Sequence, residues 1–543
     1  MGKIIETTIN RFDGGIVNDA RDDNANTARF ISGFDALTFP KKMSSYRQSE
    51  SGDSSASTSR KRNFAIALRT GTTYALYALG IVSGQVYAEV LRKELTTSGG
   101  GANDFGDATW AAPNANASAS GVPNFNLWVY YRKVGLIFGA RNGSHIMAFS
   151  PTGSAFADTH QALTYTEIGQ GIVHSKDDIL YIPWYNNAGA AGAKSGIAKN
   201  NNGVWTNTAL ALPDHLIPTS ISEYGNFLAI GCAPASGVGN SRVFLWDRNE
   251  STTILSESID AGSGSLMILE EVDGELIWIS QKGGTITSFS TLPNPNTSHK
   301  DRIYFRKLVG NVGVKFFELH SDRAGGVNTT SLPAYKQKID NRLFFQMIIQ
   351  FNGSVRDGVW SVGRSSPSSP FALVNEERTN NNTALATGDA LAGFIKVGDF
   401  LLQAYTDGGT YAVSKTVVQT NSSFSANGIY ESKPYDGSIH GFDETYYKDL
   451  LEVSVMTEAM VSLGQIILAY QIDEDVGSSA WTTIFTNTTD NSISHVANNI
   501  ESSGAALPKN YKKIAFRILA TGGAEPAKLS FREEVTGKKY ITD

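Results

Sequence analysis

Along most of this 543-residue chain, apolar and polar positions alternate in short runs punctuated by Gly, Asp and Asn. The stretch DGELIWISQKGGTITSF, Asp273 to Phe289, shows the pattern. A turn leads into Leu276, Trp278 and Ser280; Gly283-Gly284 follows, then Ile286 and Phe289. Alternation between tight glycine turns predicts a β-hairpin. The first half of the pattern recurs as TTYALYALG (Thr72 to Gly80), KVGLIFGAR (Lys133 to Arg141), DDILYIPWY (Asp177 to Tyr185) and YGNFLAIGC (Tyr224 to Cys232). It returns after the opening example as DNRLFFQMI (Asp340 to Ile348) and VGDFLLQAY (Val397 to Tyr405), which makes seven copies starting 44 to 67 residues apart.

The run that follows each copy repeats as well. Asn202-Gly-Val-Trp205 matches Asp357-Gly-Val-Trp360, and Gly84-Gln-Val-Tyr87, Gly143-Ser-His-Ile146, Gly284-Thr-Ile286 and Gly409-Thr-Tyr411 take the same place. Arg242-Val-Phe-Leu-Trp246 does so without the glycine. A small antiparallel sheet cannot bury both faces alone; radial stacking of such sheets does so and leaves only short edges. The spacing, close to the roughly 40–50-residue period of propeller blades with loop insertions, predicts a seven-bladed β-propeller over residues 63–433. Leu276, Trp278, Leu343, Phe345, Leu401 and Leu402 are expected between blades. A β-solenoid would show shorter, more regular repeats; a long β-sandwich is the other competing architecture.

The flanks read differently. Residues 1–62 form an extended N-terminal arm, with anchors Phe12, Phe30, Phe34, Leu37, Phe39 and Tyr46 among polar residues, closing on the low-complexity linker SESGDSSASTSRKR. Arg60-Lys61-Arg62 is expected to be a solvated turn. So few anchors cannot fold alone, so the arm is expected to gain order along a partner; the competing account has it supply the last blade's outer strand. In residues 434–543, Leu451, Val453 and Val455 alternate, as do Ile466, Leu468 and Tyr470, then Ile514, Phe516 and Ile518, then Leu529 and Phe531; with Trp481-Thr-Thr-Ile they predict a C-terminal β-sandwich of five or six strands.

Composition agrees with an all-β chain: 41% hydrophobic and only 18% charged residues, with 53 Gly and 16 Pro. A net charge of −6 argues against nucleic acid as main partner, since phosphate binding needs clustered Lys and Arg. MGKIIETTINRFDGG lacks the apolar core of a secretory signal, Glu6 spoils a myristoylation signal, and no run approaches the ~18 apolar residues of a membrane span.

Candidate chemistry is sparse. The one cysteine, Cys232 in FLAIGCA, reads as a small buried hydrophobe and rules out an intrachain disulfide. The eight histidines, at 145, 160, 174, 215, 299, 320, 440 and 495, form no close metal-ligand pair, and no G-x-S-x-G elbow occurs. Gly189-Ala-Ala-Gly192-Ala-Lys194-Ser195 has the wrong glycine spacing for a phosphate loop. Tyr405-Thr-Asp407-Gly-Gly409-Thr-Tyr411 and Ser354-Val-Arg-Asp357-Gly-Val-Trp360 are displaced from the Asp-box turn of propeller glycosidases and serve better as hairpin turns. Asp473-Glu474-Asp475 lacks the glycine and distal Glu of a calcium loop, and Trp246-Asp247 is a single WD dipeptide. The expectation is a non-enzymatic chain without catalytic, cofactor-binding or metal-ligating residues, and with no cofactor.

The opening INRFDGGIVNDAR…FISGFDALTFPKKMSSYR, the repeats, and a final region running from IYESKPYDG through LAYQIDEDVGSSAWTTI to KIAFRILATGGAEPAKLSF resemble β-propeller structural proteins of tailed bacteriophages. The resemblance covers most of the chain, though its motifs are short and structural. It implies a virion tail component made in the host bacterial cytoplasm, with other virion proteins as partners and copies arranged in a homo-oligomeric ring. DNA would at most pass through it. The rivals are a receptor- or glycan-binding propeller at the tail tip, with a host surface glycan as partner, and a glycan-degrading enzyme.

Overall fold

The computed structural model describes residues 2–538 except 17–26, 46–48, 52–58, 83–87, 95–109, 115–122, 142–144, 154, 164, 166, 187–194, 236–238, 252–256, 283, 286–293, 296–301, 321–334, 352–353, 378–390, 398–399, 408–409, 417–427, 443, 461–463, 477–479, 490–492 and 499–505. The chain is all-β: among the described residues, helical structure is confined to two 3-10 turns, Ser438–His440 and Asp473–Asp475.

Each of the seven repeated runs becomes the second strand of an antiparallel meander. Meander I is Ser59–Thr70, Thr73–Val82, Ala88–Glu94 and Ala111–Asn114; II is Pro123–Tyr131, Leu136–Arg141, His145–Phe149 and Phe156–Ala162. III comprises Ile172–His174, Ile179–Tyr185, Ser195–Asn201 and Val204–Ala211; IV comprises Leu216–Tyr224, Phe227–Pro234, Asn240–Trp246 and Glu257–Ser263. V is Ser265–Val272, Glu275–Lys282, Arg302–Val309 and Val312–His320; VI is Lys336–Ile339, Arg342–Gln346, Val359–Gly363 and Ala372–Glu377. VII is Leu391–Val397, Phe400–Asp407 and Thr410–Thr416. Two-residue turns with both residues left-handed, Asp273-Gly274 (φ 51° and 80°) and Asp340-Asn341 (φ 49° and 57°), join the first two strands of V and VI. Such turns match the twist of the flanking strands, which explains the Asp and Asn at the start of those repeats.

The expected third strand was less uniform. Gly358-Val-Trp360 does open the third strand of VI, but Gly203-Val-Trp205 opens the fourth strand of III. Gly284–Thr285 is a two-residue strand paired with Asn294–Pro295, and the third strand of V begins only at Arg302. Local turn chemistry is alike at these positions, but an insertion shifts which strand it introduces. Gly84-Gln-Val-Tyr87 lies outside the described residues.

Second strands are buried on both faces because neighbouring meanders cover them. Leu79 and Val90 of I share a core with Trp128, Met147 and Phe149 of II. II packs on III through Phe138, Ile146, Ile182 and Trp184; III on IV through Tyr181, Ile197, Ile230 and Phe244; IV on V through Ala229, Val243, Leu276 and Trp278. V meets VI through Ile277, Ile279, Leu343 and Phe345; VI meets VII through Phe344, Val359, Phe394 and Leu401. VII in turn packs on I, Leu402 and Val413 against Phe64 and Leu76. The six residues expected between sheets all sit in these seams.

The arm differs from expectation. Ser49–Ser51 pairs with Thr410–Thr416 and supplies the outer strand of VII. Lys3–Ile9 pairs along Pro526–Lys538, and Ala28–Ser32 lies between Ala372–Glu377 and Gly428–Ser432. Phe12, Phe30, Phe34 and Leu37 are fully buried in this same chain, whereas Phe39 is exposed; Tyr46 lies outside the described residues. The idea that these anchors wait for a partner is therefore corrected: open strand edges in the same chain satisfy the arm's backbone without the entropy cost of association. Deleting residues 1–50 should lower the melting temperature of the isolated monomer sharply; an unchanged melting curve would overturn this account. Arg60 and Lys61 continue the first strand of I rather than forming a turn.

C-terminally, Lys3–Ile9, Pro526–Lys538, Tyr446–Thr457 and Ser494–Asn498 make one sheet. Gly428–Ser432, Ile514–Thr521, Gln465–Ile472 and Thr482–Asn487 belong to a second, which runs through Ala28–Ser32 into meander VI. Leu450, Val453, Val455, Leu529 and Phe531 of the first sheet meet Ile466, Leu468, Phe516 and Ile518 of the second. Gly428 sits where a Cβ would come 2.2 Å from Phe34 Cζ. Gly428→Ala should thus cost about 1–3 kcal/mol through overpacking, read as a lower denaturant midpoint.

Candidate functional site: the junction of arm, meanders and C-terminal sheets

Three segments distant in sequence converge on one carboxylate. Glu431 stands directly across from Phe30 on one side and from Arg517 on the other. Arg517 Nη2 and Nε donate to its Oε1 at 2.5 and 3.0 Å. Arg356, on the short strand Ser354–Arg356 within meander VI, donates through Nη2 to Oε1 and Oε2 at 3.2 and 3.3 Å. Arg29 Nε lies 3.9 Å from Oε2, and its Nη1 donates to Gln471 Oε1 at 3.3 Å. Aromatic faces hold the guanidinium planes: Arg356 Cζ is 3.8 Å from the Phe30 ring centre, and Arg517 and Arg29 lie over Trp481 at 4.3 and 5.7 Å. The cluster spans arm, meander and C-terminal sheet, so it can hold them in a fixed relation.

Burial opposes ionisation of Glu431, but Arg356, Arg517 and Arg29 outweigh it and hold the carboxyl below its ordinary value of 4.5. A depressed carboxyl stabilises the fold fully above its unfolded pKa, and that contribution is lost as pH falls through the folded value. The wild type should therefore lose stability on acidification below about pH 4.5, more steeply than Glu431→Gln. Parallel acid-melting curves for the two proteins would overturn the assignment.

A second buried charge ties the first strands of IV, V and VI. Lys336 Nζ pairs with Glu270 Oε2 at 2.8 Å, donates to Ile221 O at 2.7 Å and also donates to Leu269 O. Burial pushes its ammonium below the usual lysine range, with Glu270 opposing. Beside it, Thr219 Oγ1 donates to Leu266 O at 2.6 Å and Ser222 Oγ to Glu270 Oε1 at 2.6 Å, cross-linking IV to V.

The residues singled out in the sequence do not come together. Cys232 is buried and its thiol is pushed up by burial. His174 is buried at the III–IV seam beside Asp177 and Arg248, and burial lowers its pKa. Lys194 lies outside the described residues, while Ser195 Oγ donates to Pro213 O at 3.3 Å. Asp473 Oδ1 accepts the backbone N–H of Lys512 and Lys513 at 2.7 and 3.1 Å, which makes it a turn brace. Asp247 Oδ1 likewise caps Asn249 N at 3.0 Å. Asp357 is buried in meander VI, and Asp407 ends a second strand in VII. Among the described residues no three His, Cys, Asp or Glu side chains are grouped to hold a metal. Glu431, Arg29, Arg356, Arg517 and Lys336 escaped the sequence reading. A charge inside an apolar strand, as in IAFRILA or GIYES, was the available signal, but it does not name the partner.

No protein-family profile matches the chain, and no curated protein does. Among solved structures, an exo-β-1,3-galactanase from Phanerochaete chrysosporium with β-1,3-galactotriose is 10% identical, covers 89% of this chain and 100% of its own, and has a TM-score of 0.32. A Bacteroides ovatus protein described as xyloglucan PUL GH43B is 9% identical, covers 90% of this chain and 99% of its own, and has a TM-score of 0.28. The expectation of a non-enzymatic chain is corrected by these two matches, one described as a galactanase and the other as GH43B. A site assembled from distant loops leaves no short motif, so the missing motifs exclude nothing. At these identities and scores neither match lends this chain a substrate or a reaction.

Proposed function

We propose that the chain is a structural subunit of a bacteriophage virion, a tail protein whose body is a seven-bladed β-propeller with a C-terminal β-sandwich. The observation that carries the reading is the stitching of the arm. Three of its strands join the C-terminal sheet, meander VI and meander VII, and so tie blades, sandwich and arm together. Packing of each meander on the next, and of VII on I, supports closure of the propeller. Rigidity of that kind suits a part that transmits force between neighbours in a symmetric tail. Its partners would be further copies of itself in a ring and the adjoining tail proteins. Peptide mass spectrometry and electron microscopy of purified particles test the proposal. A rotationally symmetric ring of this chain in the tail is expected; its presence in the lysate but absence from particles would overturn the reading.

A further inference from the structure

Meanders IV and V meet along their outer strands, where Asp260 pairs in parallel with Val312. In this seam Arg306, only 7% exposed, lies between the Tyr304 ring, 4.5 Å from its Cζ, and the backbone of Gly262. A Cβ on Gly262 would come 3.0 Å from that Cζ, so the glycine admits the guanidinium. Among the described residues, Arg306 Nη1 is buried without a hydrogen-bond partner. The two nearby carboxylates are committed elsewhere. Asp260 accepts Gly262 N at 2.8 Å and Asn240 Nδ2 at 3.0 Å. Glu318 takes Arg302 at 3.3 Å, His320 at 2.9 Å and Lys315 as well. Lys315 Nζ also lies 5.6 Å over the Tyr304 ring, and Arg242 stands across from Asp260.

The cations Arg242, Arg302, Arg306 and Lys315 thus face two carboxylates, and among the described residues the most buried of the four has no carboxylate in direct contact, Asp260 and Glu318 acting on it only from a distance. A buried guanidinium without an acceptor is costly unless an anion completes it. Its flat fork suits oxyanions bidentately. We propose that this seam is a binding site for an oxyanion group, a phosphate or sulfate, with Arg306 as its buried anchor and Lys315 and Arg242 at its rim. The inference does not depend on the virion reading.

Thermal melting and calorimetric titration of the full-length protein test it, with inorganic phosphate and dimethyl phosphate as probes against chloride at equal ionic strength. Phosphate should raise the melting temperature saturably and chloride should not. Tighter binding of dimethyl phosphate would point to a phosphodiester borne on a polymer, and tighter inorganic phosphate to the free ion. Arg306→Met, which removes the buried guanidinium at similar volume, should melt no lower than wild type without phosphate and weaken binding about ten-fold or more. If that variant fails to fold, Lys315→Gln and Arg242→Gln should each weaken phosphate binding by a few-fold. No saturable binding by the wild type, or equal binding by wild type and the variants, would overturn the site.

Discussion

Glu431→Ala should destabilise the protein by about 3–5 kcal/mol, the range seen when one partner of a buried ion cluster is removed. The size follows from what remains: Arg356 and Arg29 are almost fully buried, and Arg517 is only partly exposed. Without the carboxylate, their guanidiniums would face one another and the aromatic rings of Phe30 and Trp481. Because Glu431 joins arm, meander VI and C-terminal sheet, the loss should appear first as faster hydrogen exchange in Ala28–Ser32 and Ile514–Thr521. Glu431→Gln keeps the shape but not the charge and should fall between wild type and alanine. A loss below about 1 kcal/mol for Glu431→Ala would show that the cluster is solvated and does not hold the joint.

Trp278→Ala should cost a similar ~3–5 kcal/mol, as large-to-small changes in a core do. Trp278 is completely buried between meanders IV and V, among Ala229, Val243, Leu266 and Leu276. Its indole N–H donates to Ala261 O at 3.1 Å across the seam. Gly313 makes room for the ring, since a Cβ there would lie 2.3 Å from Trp278 Cζ2. The alanine variant therefore loses apolar contacts and a cross-seam hydrogen bond together. Chemical denaturation measures the cost, and a variant within 1 kcal/mol of wild type would place Trp278 outside the packed seam.

The seven second strands were legible because a strand covered on both faces must be apolar at nearly every position, and its entry turn must tolerate left-handed backbone. Both demands are local and leave residues such as Asp273-Gly274-Glu-Leu276-Ile-Trp278. Third and fourth strands were harder, because the outer fourth strands, such as Glu257–Ser263 and Val312–His320, are covered less fully, and Gly-x-aromatic turns can introduce either. The arm misled for a related reason. RFIS and SES carry too little apolar surface to announce a partner, and their pairing with Gly428–Ser432 and Thr410–Thr416 spans roughly 400 and roughly 365 residues respectively.

What the sequence determined by itself was the all-β class, the repeating meander and the residues between sheets, since period, turn chemistry and burial are written in consecutive positions. Only the tertiary structure decided that the arm completes meander VII. It alone brought Arg29, Arg356 and Arg517 to Glu431, Lys336 to Glu270, and, among the described residues, left Arg306 Nη1 without an acceptor. Each of these depends on charges brought together from positions far apart in the chain. The free energy of a buried charge is set by the groups that surround it in space, and no local pattern records them.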